Sequence, residues 1–434
     1  MLNELKKKFG FNLVNDEAKK FQEFMESFSS TANISQYNAT LKDVSGSDFI
    51  VSVGCSIQSD NPMVKFAMSQ AVKYNKAYVS TIHPIEETPI ANVISQYIKN
   101  EVGSEEAALA MLADMLVEDK SSQEEFFDSL DLGYLSGESN ISEEELDVLK
   151  LKYARVKKPV LVLGEDVINH PRSANIAAIA GYLQKNEIFK VLIIPTLTNT
   201  LGVSMICDLD KAQEGLSIGY NVKADYTLSA KSEGDLDMPA LNQQEGTFVN
   251  IDKDLVVLNA AADYEGYELN DIANALGLKA ENVIEYTSKL GFKEIDFDDL
   301  DNYYDNVGNA HRGYRIEPVK NRKRPKLQEV DDLAEYNGSV VYSRNPLSHF
   351  NVFTKDCKQL KDKPDLIGSE QFAIAAKIKS GDNVRFSVDG VEFTRHFKVD
   401  RRMKGTVAYN PTFDVDAKSA SYRYTQVKLE VINE

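Results

Sequence analysis

Apolar residues at Phe21, Phe24, Met25 and Phe28 recur at the three-and-four spacing of one helical face, which predicts an amphipathic helix from Asp16 to Phe28. A polar Ser/Thr/Asn stretch follows, so residues 1–45 read as a helical lead-in. SDFIVSVG (47–54) is then a short apolar run ending in glycine. NPMVKFAMSQAVKYN (61–75) follows it, with Asn61 as N-cap and Pro62 at the first helical position. AYVSTI (77–82) supplies a second apolar run, and two parallel strands need such a crossover helix between them. Between 90 and 153 the predicted elements are helices: ANVISQYIKN, SEEAALAMLADML, SQEEFFDSL and SEEELDVLKLKYARV. The last three open with Ser or Ser and Gln followed by acids, a first-turn pattern that suits the helix dipole.

The pattern restarts at KPVLVLG (158–164), with a helix over SANIAAIAGYLQKN and a strand in FKVLIIPT, so the chain is expected to hold two α/β units in series. In the loop-rich passage beyond, GTFVNIDKDLVVLNA reads as a hairpin turning near Asp252 to Asp254. Residues 268–303 return to helix and acid. HRGYRIEPVKNRKRPKLQEVDD (311–332), basic and holding two prolines, reads as a linker or crossing segment. From about 338 the period becomes two, with an Asp-Gly hairpin signal at 389–390 and a helix over SEQFAIAAKI. So many short strands predict a small β-barrel. The expected domains are 1–45, a first α/β unit over 46–155, a second over 156–325 with hairpin and basic linker, and a barrel over 326–434.

Composition narrows the function. No run approaches a membrane span and the charged N-terminus carries no secretory-type apolar region, so a cytoplasmic protein without direct membrane insertion is expected. Net charge is −18, divided unequally: residues 1–310 hold 26 Lys+Arg against 50 Asp+Glu, residues 311–434 hold 23 against 17, and ten of the twelve arginines lie after 310. The acidic body argues against nucleic acid. Cys55, Cys207 and Cys357 lie far apart, which leaves no disulfide ladder and no cluster ligand set.

Candidate chemistry is sparse. GCSIQSDNP (54–62) ends a strand and opens a helix, where Gly54, Ser56 and Asn61 could receive a phosphate or form only a capped turn. NTLG (199–202), with Asn199 and Gly202, follows the strand VLIIPT and has the same two readings. Ser69 to Lys73 spells SxxK and Ser59-Asp60-Asn61 spells SDN, but the order is reversed, the gap too short and Lys-Thr-Gly missing, so a β-lactamase site is rejected. His83, His170, His311, His349 and His396 show no metal spacing and read as structural or exposed. Cys55 has no His or Lys near it in sequence to activate it. The cluster Arg312, Arg315, Arg322, Lys323 and Arg324 reads as a contact for acidic domains or subunits.

Taken together, SDFIVSVGCSIQSDNPMVKFAMSQAVKYNKAYVSTI, KPVLVLG with IIPTLTNTLGV, LNQQEGTFVNIDKDLVVLNAA and SEQFAIAAKIKSGDNVRFSVDGVEFTRHFKVDRRMKGTVAYNP resemble the molybdopterin oxidoreductase family. The E-G-T-x-x-N hairpin is the most specific of these stretches. Within the family the chain most resembles the subunit-G branch of the NADH-quinone oxidoreductases of respiratory complex I. The resemblance implies two Rossmann-like α/β units and a C-terminal dinucleotide-binding barrel. Ser56 stands where the family has a loop asparagine, and no residue matches a molybdenum ligand. On that basis the resemblance implies a cofactor-free scaffold beside iron–sulfur subunits, peripheral to the inner membrane. The alternative is a formate dehydrogenase-like enzyme in which Gly54, Ser56, Asn61, Asn199 and Gly202 hold a molybdopterin dinucleotide.

Overall fold

The computed structural model describes residues 1–230, 233–279, 283–284, 295–296, 302–304, 310–349, 354, 357–415 and 421–432; over 283–284, 295–296, 302–304 and 310–315 the strand backbone is described. The chain divides into two compact units: residues 1–23 with 197–319, and residues 24–196 with 320–434. This division cuts across the serial segments expected from sequence, because stretches far apart in the chain share a unit. No described helix is long and apolar enough to cross a membrane.

Helix α1 (Leu2–Phe9) and the longer α2 (Asp16–Ala32) begin the chain, and the predicted helix thus runs one turn further than its apolar face required. A short α3 (Leu41–Ser45) carries a capping box between Thr40 and Asp43. Then comes the core of the larger unit, a parallel sheet of β1 (Phe49–Val53), β2 (Tyr78–Ile82), β3 (Gln96–Ile98), β4 (Pro159–Leu163) and β5 (Lys190–Ile193) in the order β3-β2-β1-β4-β5. Every residue of β1 is buried, as a strand covered on both faces must be, and its Ser52 hydroxyl is satisfied inside the sheet by Thr81 at 3.1 Å. The two strand–helix–strand stretches therefore make one sheet, with the direction of winding reversing between β1 and β4. Crossovers α4 (Ile57–Asp60) and α5 (Pro62–Gln70) follow β1; α6 (Glu105–Leu116), α7 (Glu124–Ser129), α8 (Leu132–Ser139) and α9 (Glu143–Tyr153) precede β4; α10 (Glu165–Asn169) and α11 (Ser173–Lys185) lead to β5.

One expected helix is corrected. ANVISQYIKN holds edge strand β3, whose Gln96, Tyr97 and Ile98 pair with Ser80, Thr81 and Ile82. A β-branched and aromatic run beside an unpaired strand edge takes the sheet's hydrogen bonds in place of its own helix.

The smaller unit continues with α12 (Thr200–Ile206) and a parallel triplet β6 (Ile218–Tyr220), β7 (Tyr226–Ser229) and β8 (Leu236–Asp237). The expected hairpin is present as β9 (Gly246–Val249) and β10 (Asp254–Leu258), turning over Asn250 to Lys253. Asn250 closes the turn by accepting from the Asp254 amide at 2.9 Å. Helix α13 (Leu269–Ala275), the pair β11 (Val283–Ile284) and β12 (Ile295–Asp296), and strands β13 (Asn302–Tyr304) and β14 (Ala310–Arg315) complete it, β14 joining β10. The helix expected over 268–303 is thus corrected beyond α13: Val283–Ile284, Ile295–Asp296 and Asn302–Tyr304 are strands, their β-branched and aromatic residues taking cross-strand backbone partners, and the remaining residues of that stretch after Lys279 lie outside the described ones.

The larger unit resumes at Lys320 with an extended segment; residues 311–315, expected in the same linker, instead belong to β14, where their backbone pairs with β10 and β13. The extended segment's backbone is held by side chains: Leu327 by Gln123 at 2.8 Å and Gln328 by Asn175 at 3.0 Å. A seven-stranded sheet follows, made of β15 (Ser339–Ser343), β16 (Leu366–Gly368), β17 (Asn383–Val388), β18 (Val391–Val399), β19 (Val407–Asn410), β20 (Tyr424–Val427) and β21 (Glu430–Ile432), with α14 (Glu370–Ala376) after β16. The order is β20-β15-β19-β16-β18-β17-β21. Its two outermost strands are joined through Lys428 and Leu429 alone, a reach of about 10 Å, so the sheet must curl to bring its edges near each other. Asp389 and Gly390, both at positive φ, make the predicted two-residue turn between β17 and β18.

The loops leaving β1 and β4 touch backbone to backbone. A Cβ on Gly164 would lie 2.3 Å from the Gly54 carbonyl oxygen and 2.7 Å from Cys55 Cα. Gly164→Ala is expected to destabilise the protein by about 2–3 kcal/mol through forced separation of these loops. Gly137→Ala in α8, where a Cβ meets open space, should be neutral or stabilising by up to about 1 kcal/mol. Urea unfolding of both variants checks the contrast.

Candidate functional site

In a doubly wound sheet the ligand crevice lies outside the carboxyl ends of the strands, where the winding reverses. Here that place is the end of β1, entered by Gly54 to Asn61, beside the end of β4, entered by Gly164 to Asp166. Gly54 has φ +61°, and a Cβ there would sit 2.8 Å from Val167 Cγ1, so the first turn of the loop requires glycine. Asn61 caps α5 as its sequence position suggests, accepting from the Met63 and Val64 amides at 3.1 and 3.2 Å.

The chain's own carboxylates satisfy the amides that a phosphate would use. The Ser56 amide donates to Asp60 Oδ2 at 2.7 Å and the Gln58 amide to Glu87 Oε2 at 3.2 Å. The Ser56 hydroxyl donates to Glu87 Oε1 at 2.7 Å. Arg344 completes this side, with Nε donating to Ser59 at 2.7 Å and Nη2 lying 3.3 Å from Glu87.

Deeper in, the guanidinium of Arg423 fills the crevice. It forks onto Asp60, with Nη1 and Nη2 at 2.7 and 3.1 Å from the two carboxylate oxygens, and Nε donates to Asp166 Oδ1 at 2.5 Å. Nη1 also reaches Glu165 at 3.3 Å, and the group stacks over the Tyr342 ring. The other oxygen of Asp166 accepts from the Tyr342 hydroxyl at 3.2 Å and faces His83 Nε2 at 3.3 Å. Tyr424 lies 3.1 Å from the same imidazole nitrogen, while Nδ1 meets the Ile85 carbonyl at 2.8 Å. Tyr342 and Arg344 come from the end of β15, and Arg423 and Tyr424 from the start of β20, so the curled sheet covers the crevice. Val340, Val407 and Ile85 pack beside them.

Electrostatics agree with a closed set of partners. Burial pushes the Asp166 carboxyl upward, but Arg423 and His83 outweigh it and hold the group below the ordinary carboxylate value. Burial lowers the His83 pKa; its hydrogen bond to Asp166 and the charges of Asp166 and Glu87 outweigh that and raise it. Beside this cluster, burial and the charge of Asp166 raise Glu105 to about 7, against a lowering hydrogen bond from Tyr422 at 2.8 Å. None of the cluster's buried side-chain nitrogens and oxygens lacks a hydrogen-bond partner.

These residues do not fit the diphosphate of a dinucleotide at this crevice. Its place is held by Asp60, Glu87, Glu165 and Asp166, four carboxylates already paired with Arg344, Arg423 and His83, and a further anion would find no free donor among them. Cys55 offers no metal ligand either: its thiol is buried against the carbonyls of Val53 and Val162, and burial, then Asp60 and Asp166, push its pKa well up. Among the described residues no group of three His, Cys, Asp or Glu is placed to hold a metal ion.

Asn199 and Gly202 belong to the smaller unit. The Asn199 side chain accepts from the Val249 amide at 3.0 Å and so ties α12 to the hairpin. The expected contact residues Arg322, Lys323 and Arg324 are exposed on the crossing segment; the side chains of Arg312 and Arg315 lie outside the described residues. His83 and His170 are structural, as expected, but fully engaged: His170 meets the Gly103 carbonyl at 3.0 Å and the Arg172 amide at 2.9 Å. The Asp60–Asp166–Arg423 cluster was missed by sequence reading. Its one visible signal is the crowding of arginines after position 310, opposite acids that directly follow apolar strands.

Arg423→Met strands the two buried carboxylates of Asp60 and Asp166 and should cost about 3–5 kcal/mol, measured by urea unfolding. Glu105 adds a pH dependence. Its folded pKa of about 7 lies above the ordinary 4.5, so its contribution is full below pH 4.5 and lost as pH rises through 7. Glu105→Gln should remove a decline of about 3 kcal/mol between pH 4.5 and 8. An unchanged pH profile in the variant would count against this assignment.

The sequence profile described as Molybdopterin oxidoreductase matches residues 1–287. Compared with curated proteins, the chain matches none. Among solved structures it is similar to acetylene hydratase from Pelobacter acetylenicus, with a TM-score of 0.55 at 8% identity, covering 91% of this chain and 74% of that one. That likeness is one of fold, and it agrees with a profile that spans well over half of the sequence. The chain belongs to the molybdopterin oxidoreductase family.

Proposed function

We propose that this chain is a cofactor-free member of its family, serving as a structural part of a respiratory complex of the NADH-quinone oxidoreductase type. In this reading it packs beside iron–sulfur subunits in the peripheral arm, on the cytoplasmic side of the inner membrane. The observation that carries the reading is the filled crevice: the guanidinium of Arg423, chelated by Asp60 and Asp166, stands where a dinucleotide's diphosphate would need donors. The subunit-G branch is supported by the sequence stretches quoted above, the E-G-T-x-x-N hairpin among them.

A second reading makes the chain a catalytic molybdopterin oxidoreductase that binds a molybdopterin dinucleotide. The family match and the fold shared with acetylene hydratase favour it, and they bear on it more than on the complex I role.

Metal and pterin analysis separates the two. Protein purified with its partners is assayed for molybdenum and tungsten by mass spectrometry and for fluorescent pterin oxidation products. The structural reading expects less than about one-tenth of an equivalent of each; stoichiometric metal with pterin establishes the second reading. Two variants extend the test. Cys55→Ala should leave the complex's electron-transfer rate within about twofold, since the thiol is buried and inert. Reversing Arg322, Lys323 and Arg324 to Glu should lower the yield of assembled complex several-fold, read by native gel, with the isolated chain's stability unchanged.

A further inference from the structure

Helix α5 buries Val64, Ala67 and Met68 against the sheet, and the π-helical turn Ala71–Asn75 that extends it buries Ala71. Its outer face is apolar as well. Met63, Phe66 and Tyr74 are 55%, 56% and 66% exposed. At helical spacing they fall within an arc of about 80°, with half-buried Gln70 between them. Three large apolar side chains in one line on a crossover helix are not needed for the fold, because the opposite face already supplies the core contact.

The charge around this line is of one sign. Residues 61–85 contain Lys65, Lys73 and Lys76 and no Asp or Glu, in a chain whose net charge is −18. Lys73 lies over the Tyr74 ring at 4.9 Å, and Lys42 is exposed on α3, which packs against α5. The neighbouring acids are engaged: Asp43 pairs with Lys190 at 2.7 Å, and Asp60 is buried under Arg423. The face therefore offers an apolar ridge with a cationic rim, within residues 1–310, which hold 26 Lys+Arg against 50 Asp+Glu.

We infer that this face docks an acidic amphipathic helix from another polypeptide, its apolar stripe on Met63, Phe66 and Tyr74 and its carboxylates on Lys73 and Lys76. This rests on the structural reading above, for which it names the partner's chemistry. Charge decides the occupant. An anionic bilayer would attract the three lysines but repel a body of −18, whereas an acidic helix meets the local field alone at distances inside a Debye length of about 8 Å.

The test places benzoylphenylalanine at Phe66 in the full chain, in the cells that make it, and sequences the photo-cross-linked peptides by mass spectrometry. The expected result is one predominant adduct on a segment of another protein with Glu or Asp flanking helically spaced apolar residues. Its yield should fall at least tenfold with Lys73→Glu and Lys76→Glu, exposed changes whose folding is checked by circular dichroism. Adducts to this chain's own peptides, adducts to lipid, insensitivity to the charge reversal, or a yield no higher than from the same probe at exposed Leu216 each overturn the proposal. Molybdenum and pterin are measured on the same preparation. A loaded protein that still gives the adduct sinks the cofactor-free reading and leaves the docking face standing; an empty protein without the adduct does the reverse.

Discussion

The pairing of Arg423 with Asp166 is the interaction on which the larger unit depends. The two residues are 257 positions apart and meet at the carboxyl edge of the parallel sheet, both out of water. A lone charge buried there would cost several kcal/mol, so neither half of the unit holds its own end comfortably without the other. The remaining contacts follow from this one. Asp60 supplies the second fork of the guanidinium, Tyr342 and His83 occupy the far oxygen of Asp166, and β15 and β20 are thereby fixed over the loops that leave β1 and β4. Apolar packing of Val340 and Val407 holds the sheet down, and the directional pairing adds a fixed geometry at its edge.

That dependence explains what could be read from the chain and what could not. Elements with local causes were legible: Asn61 and Pro62 starting α5, the Ser142 to Glu145 capping box of α9, the Asp389-Gly390 turn, the apolar runs of β1, β2, β4 and β5. Elements whose cause is a distant partner were not. Gln96 to Ile98 becomes a strand because Ser80 to Ile82 lack a neighbour on that side, and nothing within ten residues states this. The two strand–helix–strand stretches look serial in sequence because a reversal of winding leaves no local mark.

The crevice was legible in position and misleading in content. A strand ending in glycine and opening a helix locates the amides correctly, yet what satisfies them comes from Asp60, four residues on, and Glu87, some thirty residues away. No spacing rule links residues 60, 83, 166, 342 and 423, so the cluster has no motif. The excess of arginine after 310 was visible, but charge counting assigns it to the basic crossing segment, where Arg322 and Arg324 are exposed. The arginine that decides the site, Arg423, stands apart from that cluster.

A shared fold and a filled crevice are compatible, because a fold fixes where a ligand could sit and the side chains decide whether one does. In this chain the amides that an anion would seek are met by carboxylates, and those carboxylates by Arg344, Arg423 and His83, so the charges of the site are largely paired from within. Pairing them this way joins the α/β layers to the curled sheet more directly than an exchangeable ligand would. It also shifts the available chemistry outward. With Cys55 and His83 enclosed, the groups left to recognise anything lie on the surface, and the outer face of α5 combines apolar area with a charge opposite to that of the whole molecule. The helix that follows the crevice is thus joined to it on one side and carries exposed apolar area on the other, which is the physical ground of the docking face proposed above.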